Sequence, residues 1–321
     1  MKLFKYAKRR EDKIFPSFFK KICFILIVAL IALRSPASAA TYTITNDIIG
    51  EVTHYTVTDE DTLYAIARRF DLGIVELMAA NPNIDPWIPP AGTLLSIPSS
   101  YILPKENRTG IVINLSELRL YYFKDAKTVM TFPVGIGKDG WQTPVGETKI
   151  VLKRKNPFWT PPASIRANKP DLPQVIPAGP DNPLGQYAMN LGWPGFLIHG
   201  TNKPYGIGLR SSHGCIRMYP EDIEELFKVV KKDTKVTVID TSYKIGWLND
   251  ILYLEVNPSQ EKQAGLIFED REPAANKDID ISKLNSDIEK IAGASIIDWA
   301  AVTAAIEKHT GLPYAIGVGA E

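Results

Sequence analysis

The chain has 321 residues, 37 Lys and Arg against 36 Asp and Glu for a formal charge of +1, and a hydrophobic fraction of 45 %. This balance excludes a polybasic nucleic-acid binder and a disordered acidic chain, and the length suffices for two or three small domains. With only Cys23 and Cys215 present, a disulfide-stapled scaffold is excluded as well.

Residues 1–39 carry basic residues up to Lys21 against two acids, then an unbroken apolar run from Ile22 to Leu33, then Ala37-Ser38-Ala39. A basic start, a short apolar stretch and a small-x-small end mark a secretory signal peptide cut near Ala39. A membrane span needs about 20 apolar residues, more than this run offers. Cleavage leaves 28 basic against 34 acidic residues, a formal charge of −6, with no stable membrane span and no nucleic-acid partner. Cys215 is then the single thiol of an exported chain. An unpaired thiol in an oxidising compartment is kept for chemistry more readily than for packing.

Residues 41 to 51 read as an extended lead-in. From His54 to Pro98 a compact unit follows: His54 to Val57 alternates like a strand, and Asp61-Thr62 caps a helix carrying Leu63, Ile66, Ala67 and Phe70. A second helix from Ile74 to Ala80 stops at Asn81-Pro82, and Leu94 to Ile97 returns as a strand. This β-α-α-β order, with YTV, DTL, N-P and I-P in place, resembles a LysM module, placed at residues 53–98. The resemblance implies binding of the N-acetylglucosamine backbone of peptidoglycan or chitin, in a groove near Asp59, Thr62, Asn81 and Ile84. On the residues alone, these four make turns and caps equally well.

Tyr101 to Asn107 reads as a linker. Strands are expected at Ile111 to Asn114, Leu118 to Phe123 and Val129 to Val134, then Gly-rich turns at 135–146 that lack the strand, turn and helix order of a phosphate loop. The Pro-rich segment 156–183 is long for a structureless connection and is expected to wall a cleft. Tyr187 to Leu191 and Phe196 to His199 read as strands entering a site. A helix starts at Pro220, and Val236 to Ile239 is one more buried strand. Residues 241–321 form an extension, partly helical, with a strand at Leu252 to Val256, a charged loop-like stretch from Pro258, and one long or two shorter helices between Ser282 and Lys308.

The chemistry concentrates in IHGTNKPYGIGLRSSHGCIRM, Ile198 to Met218. A thiol is nucleophilic as thiolate and needs a base or a positive field beside it, and here His199, His213, Arg210 and Arg217 share one short stretch with Cys215. Gly214 permits a sharp turn and close approach of a carbonyl. The backbone N–H groups of His213, Gly214 and Cys215 are candidate oxyanion donors. The arginines are read as field, substrate-carboxylate ligands or surface ion pairs. Zinc on His199, His213 and Cys215 is the weaker alternative, because no metal-ligand spacing supports it, and no cofactor is expected.

H-G-T, a gap, then S-H-G-C-I-R-M resembles the signature of the YkuD-type L,D-transpeptidases. The similarity runs from INLSELRLYYF through FPVGIGKDGWQTPVGETKI, NPFWTPPASIR and GPDNPLGQYAMNLG, and places the catalytic domain at residues 109–240. It is nearest the LysM-bearing periplasmic branch that includes enzymes attaching Braun's lipoprotein. The resemblance implies a mainly β, sandwich-like catalytic domain, Cys215 as nucleophile, His199 as base and His213 in an orienting or oxyanion-side role. Ser212, Trp159, Arg210 and Arg217 join the expected substrate contacts. Many members carry Ser after the base; Gly200 stands there in this chain, so its backbone carbonyl is the first candidate for orienting the imidazole. The donor implied is a peptidoglycan tetrapeptide stem that loses D-Ala, and the acceptor a diaminopimelate amine (a 3→3 crosslink) or the terminal Lys of an outer-membrane lipoprotein. Carbapenems are expected to acylate the same thiol. An L,D-carboxypeptidase and a non-catalytic wall-binding protein are the alternatives.

Overall fold

The computed structural model describes residues 40–106, 108–267 and 279–320. The expected signal peptide and Cys23 lie outside the described residues. The chain begins with strands β1 (Thr41–Thr43), β2 (Ile48–Gly50) and β3 (Thr53–Thr56), helices α1 (Leu63–Arg69) and α2 (Ile74–Ala80), and strands β4 (Leu94–Ile97) and β5 (Ser100–Ile102). β3 and β4 pair antiparallel, with Thr53 opposite Ile97 and Thr56 opposite Leu94. The two helices fold over this pair because Leu63, Ile66, Leu72, Ile74 and Leu77 recur at helical spacing and are fully buried with Leu95 and Ile97. Thr62 starts α1 by accepting the Ala65 N–H at 3.1 Å. In α2 the Glu76 carboxylate accepts the Gly73 N–H at 3.1 Å.

The segments expected as a lead-in and a linker contain short strands in the structure. β1 pairs with β8 (Thr128–Pro133) at the edge of the main sheet, and β2 pairs with β5, Ile48 opposite Ile102. Their pairing partners are far away in sequence, so local pattern does not announce them.

The catalytic region comprises β6 (Gly110–Asn114), β7 (Arg119–Asp125), β8, β9 (Ile136–Gly137), β10 (Gly146–Lys155), α3 (Ala163–Asn168), β11 (Tyr187–Leu191), β12 (Leu197–His199), β13 (Arg210–Ser212), β14 (Ile216–Arg217), α4 (Pro220–Val229) and β15 (Lys235–Ile239). Nine strands form one sheet in the order β1-β8-β7-β6-β15-β10-β11-β12-β14. Alternation sends Ile111, Ile113, Leu120, Phe132 and Val236 to one core, and Val112, Tyr121, Phe123 and Val129 to another shared with Ile49, Tyr101 and Leu103. Both faces are covered, and the strands accordingly read as nearly continuous apolar runs.

The module is seated on this sheet through charged groups. Arg68 grips Glu221 at the start of α4 with two bonds of 2.6 and 2.8 Å. Arg119 of β7, buried, reaches Glu76 at 2.7 Å and the Asp71 carbonyl at 3.1 Å. The backbones of Gly73 and Gly208 pass so closely that a Cβ on Gly208 would lie 2.4 Å from the Gly73 Cα.

Beyond the catalytic region, β16 (Tyr243–Leu248), β17 (Ile251–Val256), α5 (Gln260–Ile267), α6 (Ile281–Ala292), β18 (Ile296–Ile297), α7 (Trp299–Lys308) and β19 (Pro313–Val318) follow. A sheet ordered β16-β17-β19-β18 carries α6 and α7 over a core of Leu252, Leu254, Leu284, Ile288, Val302 and Ile316. The expected helical stretch is two helices, divided after Gly293, whose φ is +59°. β16, β19 and the short α5 add to the one strand and loop read from sequence. Lys244, buried, pairs with Glu255 of this layer at 2.9 Å and fastens it to β7 and the turn before it through the Tyr121 hydroxyl at 3.1 Å and Glu117 at 2.8 Å. No helix among the described residues is long and apolar enough to cross a membrane.

Candidate active site

β12 and β14 lie side by side in parallel, with Ile198 opposite Ile216 and His199 opposite Arg217. Residues 200–215 leave the sheet between them and return with Cys215 one residue before β14. His199 is 3 % exposed. Its Nδ1 lies 2.5 Å from the Gly200 carbonyl oxygen. A carbonyl only accepts, so Nδ1 carries the proton and the Nε2 lone pair is the basic one. The backbone of Gly200 therefore does the orienting expected of it. A side chain here would be crowded, because a Cβ at position 200 would meet Ile223 Cγ2 at 3.0 Å and the Leu184 carbonyl at 3.4 Å. Burial first, then the guanidinium of Arg217, drive the imidazole pKa down to about 3; the Gly200 hydrogen bond opposes this and Arg154 adds to it.

The Cys215 Sγ donates to the Gly195 carbonyl at 3.6 Å. Burial raises the thiol pKa, against the opposing effects of the Leu197 backbone hydrogen bond and the Arg217 charge. The positive field expected beside the thiol comes from Arg217, against the larger effect of desolvation.

The turn before Cys215 is fixed on both sides. Gly214 has φ +97°, and a Cβ there would lie 2.7 Å from Phe196 Cε1. Ser212, 1 % exposed, donates its hydroxyl to the Cys215 carbonyl at 2.6 Å and accepts the Gly214 N–H at 3.1 Å. The Thr143 hydroxyl, which sequence reading missed, donates to the Gly214 carbonyl at 2.9 Å and accepts the Gly137 N–H at 3.1 Å. Two expectations change. The Gly214 N–H is engaged, which leaves His213 and Cys215 as the oxyanion candidates. Ser212 borders the cavity, yet its hydroxyl shapes the turn instead of reaching for substrate. His213 is exposed at the mouth, edge-on to Trp141 with ring centroids 4.8 Å apart, and partial burial with the Lys138 and Arg217 charges lowers its pKa.

Cys215, His199 and His213 face a cavity of about 280 Å³ whose apolar wall is the Pro-rich segment, through Phe158, Trp159, Pro162 and Ile165. Trp159 exchanges two backbone hydrogen bonds with Ile176, both 2.8 Å. Asn182, fully buried, ties the segment down: its amide donates to the Pro157 and Pro177 carbonyls at 2.8 and 3.0 Å, and its oxygen accepts the Leu184 N–H at 2.9 Å.

Arg217 lines the cavity as expected, and so does Arg154, which sequence reading did not single out. Arg210 is a correction. Its guanidinium turns away, to Gln263 Oε1 at 3.3 Å and the Leu115 carbonyl at 3.2 Å, where it holds α5 against the catalytic sheet. Among the described residues no group of three His, Cys, Asp or Glu side chains is placed to hold a metal ion.

On the module, Asn81 is also a correction. Its amide donates to the Leu77 and Ser96 carbonyls at 2.9 and 2.7 Å and accepts the Ser96 N–H at 2.8 Å, bracing α2 against β4 with both amide hydrogens committed. Thr62 caps α1, Ile84 packs on the module core, and Asp59 is exposed. Three rings gather on the module side, the half-buried Tyr64 lying 4.6 Å from the exposed Trp87 and 5.6 Å from the exposed Tyr205 between ring centroids. Tyr205 belongs to the 3-10 turn Pro204–Gly206 in the loop that follows His199. The Trp87-Ile88-Pro89-Pro90 run was the available signal for this cluster.

Residues 108–238 match the family described as the L,D-transpeptidase catalytic domain, and residues 55–98 match the LysM domain. The chain is 37 % identical over 314 residues to the probable L,D-transpeptidase YcfS of Escherichia coli (strain K12), covering 92 % of this chain and 94 % of that one. It is 39 % identical over 306 residues to the probable L,D-transpeptidase YbiS of the same strain, covering 91 % and 97 %. To the probable L,D-transpeptidase ErfK/SrfK of that strain it is 33 % identical over 312 residues, covering 94 % and 98 %.

Proposed function

The chain belongs to the L,D-transpeptidase family, and from that premise we propose that it is an exported enzyme of peptidoglycan that acylates Cys215 with a tetrapeptide stem. The observation that carries this reading is that the only described thiol faces the same cavity as a buried imidazole whose Nδ1 is fixed by the Gly200 carbonyl. Cys215 Sγ attacks the carbonyl of the third stem residue while His199 Nε2 takes the thiol proton. The oxyanion is held by the N–H groups of His213 and Cys215. The C–N bond then breaks, the imidazolium protonates the leaving amine, D-Ala departs, and a thioester remains on Cys215. An acceptor amine, deprotonated by His199, attacks the thioester and frees the thiol.

Domain boundaries follow the same reading: a cleaved signal peptide at 1–39, a LysM module at 53–98, the catalytic domain at 109–240 and the extension at 241–321. The glycan strand is assigned to the module near Asp59 and Ile84 and to the rings of Tyr64, Trp87 and Tyr205, since aromatic faces pack on sugar rings and Tyr205 lies on the loop that follows the base. Arg217 supplies positive charge at the site, and Trp159 bounds the acyl chain. The acceptor is a diaminopimelate amine or a lipoprotein Lys. Incubating the mature protein with a disaccharide-tetrapeptide, a second stem peptide and a Lys-terminated lipoprotein peptide together, with products resolved by mass spectrometry, tests this. Ligation to either amine supports transpeptidation. Tripeptide alone means that water is the acceptor and the enzyme is an L,D-carboxypeptidase.

A further inference from the structure

The register of four strands places Arg154 and Arg217 on either side of the base. Arg154 of β10 lies opposite Ala188 of β11, Ala188 opposite His199 of β12, and His199 opposite Arg217 of β14. Residues directly opposite on neighbouring strands project from the same face, so these four form one rung across the sheet. At about 4.8 Å per strand, Arg217 starts one spacing from His199 and Arg154 two spacings away on the other side. Ala188, between Arg154 and His199 in the register, is short, and Arg154 lines the same cavity as His199.

Both guanidiniums are unfinished. The Nε atoms of Arg154 and Arg217 are buried without a hydrogen-bond partner, neither arginine makes an ion pair among the described residues, and no Asp or Glu lines the cavity they face. A buried N–H of a charged group is strongly disfavoured when left unpaired, and guanidiniums match carboxylates geometrically. Their charges add to the effect of burial in lowering the His199 pKa, and an anion lying between them would offset that added part.

We propose that Arg154 and Arg217 form a carboxylate cradle that binds the free C-terminal carboxylate of the donor peptide, the carboxylate of the residue that leaves. This rests on the transpeptidase reading and adds to it the basis of donor selection. The leaving amine must stand next to His199 to receive its proton, and the carbon bonded to that amine carries the terminal carboxylate. A cradle flanking the base therefore meets the leaving residue, while the acyl part of the donor lies toward Trp159 and the apolar wall. Once the carboxylate is seated, its charge offsets that of the two guanidiniums beside His199, so that a donor lacking the carboxylate both binds poorly and leaves the base under their field.

The test compares two donors, a disaccharide-tetrapeptide ending in a free carboxylate and the same donor ending in a carboxamide. The readout is the ratio of their kcat/KM values for release of the terminal residue. Wild-type protein is expected to favour the acid by about 10- to 100-fold. Arg154→Gln is expected to pull that ratio down by about 10-fold through the acid alone, and Arg154→Lys to restore part of it. A general structural defect would depress both donors together and leave the ratio where it was. Equal turnover of acid and amide by wild type, or an unchanged ratio in Arg154→Gln, overturns the cradle while leaving the transpeptidase reading intact. Release from neither donor, or release that persists in Cys215→Ala, defeats the reading and the cradle with it.

Discussion

Replacing Gly214 by alanine tests whether the turn before Cys215 is as constrained as its geometry implies. At φ +97° an L side chain costs about 1–2 kcal/mol. The new Cβ would lie 2.7 Å from Phe196 Cε1, well inside carbon contact distance, and overpacking of this kind costs about 1–3 kcal/mol. If the turn holds, the two together destabilise the fold by about 2–5 kcal/mol, a fall in Tm of roughly 5–15 °C for a chain of this size. If the turn yields instead, the Ser212 and Thr143 hydrogen bonds to Gly214 lengthen and Cys215 shifts, and a displacement of about 1 Å lowers turnover about 100-fold. Circular dichroism melting and D-Ala release by mass spectrometry read the two outcomes. Adding Phe196→Ala should return the contact part of the loss and leave the backbone part. A Gly214→Ala protein that melts within a degree of wild type and turns over normally would refute the reasoning.

The pH response of the free thiol is a second expectation: because burial raises the Cys215 pKa, iodoacetamide alkylation should be slow near neutrality and keep rising past the ordinary thiol range, and an inflection below pH 8 would contradict it. Asn182→Ala should loosen the wall around Trp159 by stranding the Pro157 and Pro177 carbonyls, with a loss of about 2–4 kcal/mol in a urea titration and a higher donor KM; unchanged KM would show that the wall is not shaped by that amide. Asp71 and Asp222 meet, buried, at the seat of the module, and burial raises both pKa values. A carboxyl raised on folding gives its full stability below its unfolded pKa, near 4, and loses it as pH rises through the folded value. Stability should therefore decline from about pH 4 upward, and Asp222→Asn should flatten that slope in melts taken across pH 4–8.

What could be read from the sequence was what lies close together in it. Cys215, Gly214 and His213 are consecutive, His199 is one loop away, and Gly200 is adjacent to the base whose Nδ1 it fixes, so the local chemistry was legible without the fold. Arg154 was not, because only the register of two strand pairs carries it to His199. The same reason hides β1, β5 and β19, short strands that pair with distant segments. Arg210 and Asn81 were misjudged in the opposite direction: each has the right residue type near a site, but the backbone and Gln263 claim their polar atoms first. Gly246 interrupts β16 in the sequence pattern because a Cβ there would collide with Asp47 and Ile102 at 2.7 and 2.8 Å; the residue that seats the extension is the one that disguises its strand.

The central claim is covalent, and intact-mass spectrometry of the protein trapped during turnover of the tetrapeptide donor reads it directly. The account expects an adduct equal to the donor minus D-alanine, mapped to Cys215, absent from Cys215→Ala and accumulating only slowly in His199→Ala. D-alanine release with no adduct, at a rate that survives Cys215→Ala, would contradict it.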